Sequence, residues 1–223
     1  MRPELKELPP RMRHLPVDKR GFPVPWFVPM VNGEPEFRAM DSGKRKKAIK
    51  DGRCWVCGGA TYEQVTAFVI GPMCGINRTT AEPPCHLECA RWSALNCPFL
   101  TQREIKRRED EFTESCPMPG HGLKRNPGVA LVWITDSFQI FPDGKGDFLL
   151  NIGEPSSLEF YSHGRTATWD ELMQSIESGF PLLAEMAEKE EGAMTELNEA
   201  KITFLTLAKK IGTCEPKRPE STR

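Results

Sequence analysis

The sequence predicts an α+β protein: a treble-clef-like zinc module with an edge hairpin, followed by a small antiparallel sheet and a C-terminal helical pair. Three observations predict it. Cys54-Trp-Val-Cys57-Gly-Gly sets two thiols on a tight turn, and Cys85-His86-Leu-Glu-Cys89 brings further soft ligands just as a helical pattern begins. Three short apolar runs between positions 129 and 152, divided by turn residues, have the spacing of an antiparallel meander. From Thr168 onward, capping chemistry and helical periodicity replace that alternation.

In chain order, residues 1–20 alternate charge and proline without apolar periodicity, which predicts a flexible N-terminal arm. Residues 21–128 form the zinc-stapled module. Within it, Phe22 to Val31 is extended, Asn32-Gly33 has the two left-handed positions of a type I′ turn, and Glu36-Phe37-Arg38 returns alongside, with prolines confining the hairpin to a sheet edge. Asp41-Ser-Gly opens a basic helix over Lys44–Lys50 that Gly52 closes. Thr66–Ile70 is a short apolar strand, residues 71–84 a loop rich in turn formers, and His86 to Leu95 a helix that Pro98 stops. A charged helix is expected over 102–111, then an irregular linker from Cys116 to His121.

Residues 129–211 hold the meander, with strands at Val129–Ile134, Phe138–Phe141 and Phe148–Ile152 and a fourth at Leu158–Tyr161, and then helices. Thr168-Trp-Asp-Glu171 is a capping box for a helix to about Glu177, which Gly179-Phe-Pro181 breaks. Two more helices follow, Leu182–Lys189 and Thr195–Ile211, the last with Leu197, Ile202, Leu205, Ala208 and Ile211 near one face. Residues 212–223 read as a disordered tail, with Cys214 an exposed bystander.

Composition bounds the function. With 30 Lys and Arg against 31 Asp and Glu, the whole-chain charge of −1 gives no general attraction to nucleic acid or to an anionic membrane, so any such binding needs a local patch. The start of the chain has no apolar leader and no run is long enough to span a bilayer, which predicts a soluble, cytoplasmic protein without a membrane partner. In that compartment clustered cysteines serve as reduced metal ligands rather than disulfides.

A structural Zn²⁺ is therefore expected on Cys54, Cys57, His86 and Cys89. The first pair lies on a turn whose amides face sulfur, and the second is three apart on the first turn of a helix. Cys85 competes with His86, since Cys85 and Cys89 also share a helical face. Three thiolates on a divalent ion leave a formal charge near −1, which Arg53 and Arg91 are placed to offset.

No catalytic residue is assigned. A redox Cys-x-x-Cys follows a strand and precedes a helix, unlike this one, and a zinc deaminase needs its Cys pair after the His. The alternative worth carrying is a degenerate or divergent HNH-like metal-dependent nuclease. It lacks a His between Cys57 and Cys85 to act as base and would have to recruit Glu82 or His121. A further metal site from Cys97, Cys116 and His121 has irregular spacing. The preferred expectation is a non-catalytic binding protein whose zinc rigidifies the 71–84 loop. Asn77 and Arg78 on that loop, with Lys46, Lys47, Lys50 and Arg53 beside it, would contact nucleic acid or a host protein.

Cys54-Trp-Val-Cys57-Gly, Phe68-Val-Ile-Gly-Pro-Met-Cys74, Asn77-Arg78, Glu82-Pro-Pro, His86-x-x-Cys89-Ala90, Cys97-Pro-Phe-Leu100 and Arg125-Asn-Pro-Gly128 together resemble an uncharacterised bacteriophage and prophage family, over a span from about Val24 to Leu183. The resemblance implies a phage or prophage origin and a role in the host cytoplasm, and it implies no activity.

Overall fold

The computed structural model describes residues 4–37, 39–61, 66–102, 119–120 and 125–214. The charged helix expected beyond Gln102, together with Cys116 and His121, lies outside those residues, as does 215–223 of the expected tail. The chain is a mixed α+β protein built on one larger antiparallel sheet with helices on both faces.

The N-terminal hairpin pairs β1 (Met30–Val31) with β2 (Glu34–Pro35) through Asn32 and Gly33, both left-handed at φ 52° and 82°. α1 (Ser42–Lys50) follows, its first turn capped by the Asp41 carboxylate accepting from the Lys44 amide at 2.9 Å. Next come β3 (Thr66–Ile70), α2 (Pro72–Asn77), β4 (Thr79–Thr80), β5 (Cys85–His86), α3 (Leu87–Asn96) and α4 (Pro98–Thr101). The second half has β6 (Ala130–Thr135), β7 (Phe138–Pro142), β8 (Phe148–Ile152), β9 (Ser157–Ser162) and β10 (Arg165–Thr166). It ends with α5 (Trp169–Ala187), α6 (Ala193–Ile211) and β11 (Gly212–Thr213).

The expected strands form, but they do not make a meander. β6 pairs with β3 on one side and β9 on the other, in the order β10-β9-β6-β3-β5, with β11 added parallel to β9. β7 and β8 leave as a hairpin and pair with β4. The physical reason is β6 itself: all six of its residues are buried, so it needs a strand on each edge and a layer on each face. The sheet thereby joins β3, from the cysteine-bearing half, to strands beyond residue 129.

Period-two alternation sends neighbouring residues of this sheet into two cores. Phe68, Ile70, Leu131, Trp133, Leu158 and Phe160 face α2, α5 and α6. Ala67, Ala130, Val132 and Ile134 face the opposite way, into a cluster with Cys54, Trp55, Cys57, Cys89 and Trp92. Residues 4–20, expected as an arm, contribute Met12 and Leu15 to this second core, at 1% and 6% exposure.

The Thr168–Glu171 capping box is present, yet α5 runs through Gly179-Phe-Pro181 without a break. Pro181 costs the helix one hydrogen bond, and the carbonyl thereby freed belongs to the exposed Glu177, where water can reach it. Gly179 is needed for close approach rather than for a stop: a Cβ there would stand 2.8 Å from the Arg125 guanidinium and 3.0 Å from Met73. On α6 the core face is Phe204 and Ala208, while Ile202 is 65% exposed and points away from the expected stripe. Cys214 packs against the first core, and burial pushes its thiol up to about 11.

One carboxylate joins the sheet to α3. Glu159 on β9 accepts from Arg91 Nε at 2.9 Å and from the Tyr161 hydroxyl at 2.8 Å. Desolvation raises its pKa, but the Arg91 and Tyr161 hydrogen bonds outweigh this and hold the carboxyl below the ordinary range. A depressed folded pKa means stability that is present above the unfolded value of about 4.3 and lost as pH falls through the folded one. Urea titrations of Glu159→Gln are therefore expected to show a deficit relative to the parent at pH 7 that shrinks below about pH 4. A deficit independent of pH would contradict it.

Candidate metal centre

Cys54, Cys57, His86 and Cys89 come together with all their candidate ligand atoms within 4.8 Å of one another, and all four residues are buried. Local structure explains the convergence. The knuckle closes through Gly58 N–H to Cys54 O at 2.8 Å and Cys54 N–H to Gly59 O at 2.7 Å, with Gly58 at φ 74°. Trp55 N–H donates to Pro84 O at 3.0 Å, tying the knuckle to the approach to β5. β5 pairs with β3 through Thr66↔His86 and Ala67↔Cys85, which sets His86 at the N-cap of α3 and Cys89 in its first turn.

The geometry suits a divalent ion. His86 Nδ1 lies 3.4 Å from Cys57 Sγ and 3.9 Å from Cys89 Sγ. Tetrahedral coordination with metal–nitrogen and metal–sulfur bonds of about 2.0 and 2.3 Å would place such atoms about 3.5 Å apart. The other ring nitrogen, Nε2, donates to Ala60 O at 2.8 Å, which fixes the tautomer and leaves Nδ1 to the metal. Two amides, of Cys57 and His86, donate to Cys54 Sγ at 3.4 Å each.

Charge is shared within the cluster. Hydrogen bonds from Cys54 and then Cys89 hold Cys57 far below the ordinary thiol range, and His86 is pushed up to about 10, first by Cys54 and then by Cys57. A metal cation bound here would release the protons that these groups carry.

Cys85 stands outside the set. Its thiol donates to Ala67 O at 3.2 Å, and burial pushes it well above the usual range, so it stays protonated. His86 therefore wins over Cys85, because strand pairing turns Cys85 into the sheet. Of the two expected counter-charges, Arg53 stays by the knuckle, donating to Gly58 O at 3.1 Å, whereas Arg91 is committed to Glu159.

The expected binding residues divide. Lys46, Lys47 and Lys50 are exposed on α1, with no ion pair among the described residues. Arg78 is not free for contact: its Nε donates to Ile152 O at 3.1 Å, it pairs with Glu154, and its guanidinium lies 5.7 Å from the Trp133 ring centroid. Asn77 is exposed but turns its Oδ1 to the Thr79 amide at 3.0 Å. Residues 71–84 are not an open loop, since Pro72–Asn77 is helical and buries Met73 and Ile76 against α5 and α6. The turn formers Gly71 and Pro72 start that helix, Pro72 sitting in its first turn.

Within the basic run, Arg45 differs from its neighbours. It is 2% exposed, donates to Ala81 O at 2.6 Å, Asp147 at 2.8 Å and Phe148 O, and stacks 3.9 Å from the Phe148 ring centroid. The signal was there: Arg45 shares the inward stripe of Ala48 and Ile49, three and four residues on. His14 bonds Cys57 O at 3.0 Å through Nε2.

The seven described cysteines are free thiols, and no described helix is long and apolar enough to cross a membrane. In comparisons with known proteins, no family model, no curated protein and no solved structure matches the chain.

Proposed function

We propose that this is a non-catalytic zinc-binding protein, with a treble-clef-like centre holding structural Zn²⁺, that contacts nucleic acid through the lysine face of α1. The observation that carries the metal part is closure: four protein ligands, each at most 2% exposed, leave no position for water or substrate. Thiolate and imidazole ligands at this spacing suit zinc over hard cations such as Mg²⁺ or Ca²⁺. Knuckle, strand and ligand-bearing helix follow in treble-clef order. The HNH-like alternative needs a separate open metal position and a general base, and the described residues gather no second cluster of three or more ligating side chains.

The binding part rests on α1. Lys46 and Lys50 are one turn apart with Lys47 beside them, a like-charge arrangement that costs the isolated helix a few tenths of a kcal/mol. Phosphates would offset that repulsion, and Arg45 fixes the helix to the body so that the lysines are presented without an ordering cost. The motif resemblance adds a phage or prophage source, with host cytoplasm as the working compartment.

The test is duplex DNA and RNA binding by anisotropy across a salt series. Three phosphate contacts give a slope of log K against log salt steeper by about 2.7 than in the variant Lys46→Gln, Lys47→Gln, Lys50→Gln. An unchanged slope, or no binding at low salt, refutes the nucleic-acid reading. Capture of one host protein from nuclease-treated lysate, lost in the same variant, would move the lysine face to a protein partner. Plasmid cleavage with Mg²⁺, Mn²⁺ or Ni²⁺ would replace the reading with a nuclease.

A further inference from the structure

We propose that residues 4–28 form a strap that gates metal exchange at the Cys54, Cys57, His86 and Cys89 centre and is released when the metal leaves. The inference rests on the metal reading above. Nothing in the composition of residues 4–20 distinguishes them from a solvated arm, but the anchors of the segment converge on the knuckle. His14 Nε2 bonds the carbonyl of Cys57 at 3.0 Å. Trp26 N–H donates to Val56 O at 2.7 Å, and the Trp26 ring lies so close to Gly58 that a Cβ there would stand 2.7 Å from it. Phe27 stacks on Trp55 with ring centroids 4.7 Å apart and planes inclined by 12°.

The other end holds the ligand-bearing helix. Trp92 Nε1 donates to Lys6 O at 3.0 Å, the Lys6 amide donates to Asn96 Oδ1 at 2.9 Å, and Arg11 pairs with Glu88 at 3.0 Å. Between these anchors Met12 and Leu15 enter the same buried cluster as Cys54, Cys57 and Cys89. The strap thus bridges the two pieces of chain that the metal also bridges, and it closes the site to solvent.

Two consequences follow from a shared footing. A ligand cannot leave for a chelator until the strap lifts, so strap contacts set the metal off-rate. Without the metal, the knuckle and α3 lose the link that keeps the strap's footholds in register, and the strap detaches while the first core, on the far face of the sheet, persists.

The experiment uses the full chain, first shown by elemental analysis to carry one zinc per molecule. Zinc transfer to a chromophoric chelator is timed for the parent, His14→Ala and Met12→Ala. The expected acceleration is roughly five-fold for His14→Ala, the equivalent of one ordinary hydrogen bond, and larger for Met12→Ala. Separately, hydrogen exchange with and without chelator should show residues 4–28 losing protection on metal removal while β6 and β9 keep theirs. Trypsin should then cut at Arg11, Arg13, Lys19 or Arg20 only in the metal-free form. Unchanged transfer rates in both variants overturn the strap and leave the metal reading standing. Loss of protection in β6 together with the strap overturns it as well, because the segment then has no separate transition. A preparation without stoichiometric zinc overturns the metal reading itself.

Discussion

Replacing Cys89 with serine is expected to abolish stoichiometric metal binding and lower the melting temperature by on the order of 10 °C. The same change at Cys85 should preserve both. The contrast follows from where two buried thiols on one short segment point. Cys89 Sγ faces His86 Nδ1 at 3.9 Å and belongs to the four-ligand set. Cys85 Sγ instead donates to Ala67 O, a bond that a serine hydroxyl can make in its place. The effect at Cys89 is large because three members of the second core are candidate metal ligands, so losing a bound ion would loosen what the knuckle, α3 and the N-terminal segment share. Elemental analysis and calorimetry of the two variants decide the matter. Metal retained in Cys89→Ser, or lost in Cys85→Ser, would show that the ligand set is wrong.

Arg45→Ala is expected to cost about 3 kcal/mol in urea unfolding, the low end of the range found when one partner of a buried ion pair is removed, because the Asp147 side chain keeps 24% of its surface exposed. It leaves Asp147 without its cation and the carbonyls of Ala81 and Phe148 without their donor, and it removes the guanidinium stacked on Phe148. Arg45→Lys should fall between the two, because one ammonium cannot span acceptors on two separate turns in the way a planar fork does. Burial lowers the Arg45 pKa, while the Asp147 carboxylate works against that shift and favours the charged form. Lys46→Ala and Lys47→Ala, its exposed neighbours, should each stay within about 0.5 kcal/mol of the parent. A cost at Arg45 no greater than theirs would mean that the cluster between α1 and the β7–β8 turn does not hold the helix in place.

The two histidines whose roles differ most show why reading residues one at a time has limits. His86 was legible because its value as a ligand depends on spacing to Cys89 and on the start of a helix, both local properties. His14 was not, because its partner is a backbone carbonyl 43 residues away and carbonyls carry no signature in a sequence. Arg78 failed in the opposite sense. Its type and setting suited an exposed contact, yet its backbone is left-handed at φ 55° and its side chain meets Ile152, the last residue of β8, and Glu154 just beyond it, partners of which its own segment gave no hint.

By itself the sequence picked out, with one ambiguity, the four candidate ligands that the fold brings together, and also the Asn32-Gly33 hairpin, the caps of α1 and α5 and the approximate extent of each long strand. These depend on interactions within a few residues, or on spacings that repeat. Tertiary structure alone decided that β6 takes β3 and β9 rather than β7, that Pro181 sits inside a helix, that residues 72–77 are packed and helical, and that Met12 and Leu15 of the N-terminal segment pack into the core that holds Cys54, Cys57 and Cys89. Each of these is settled by which buried surface lacks a cover. That is a property of the whole assembled core, and no stretch of chain contains it alone.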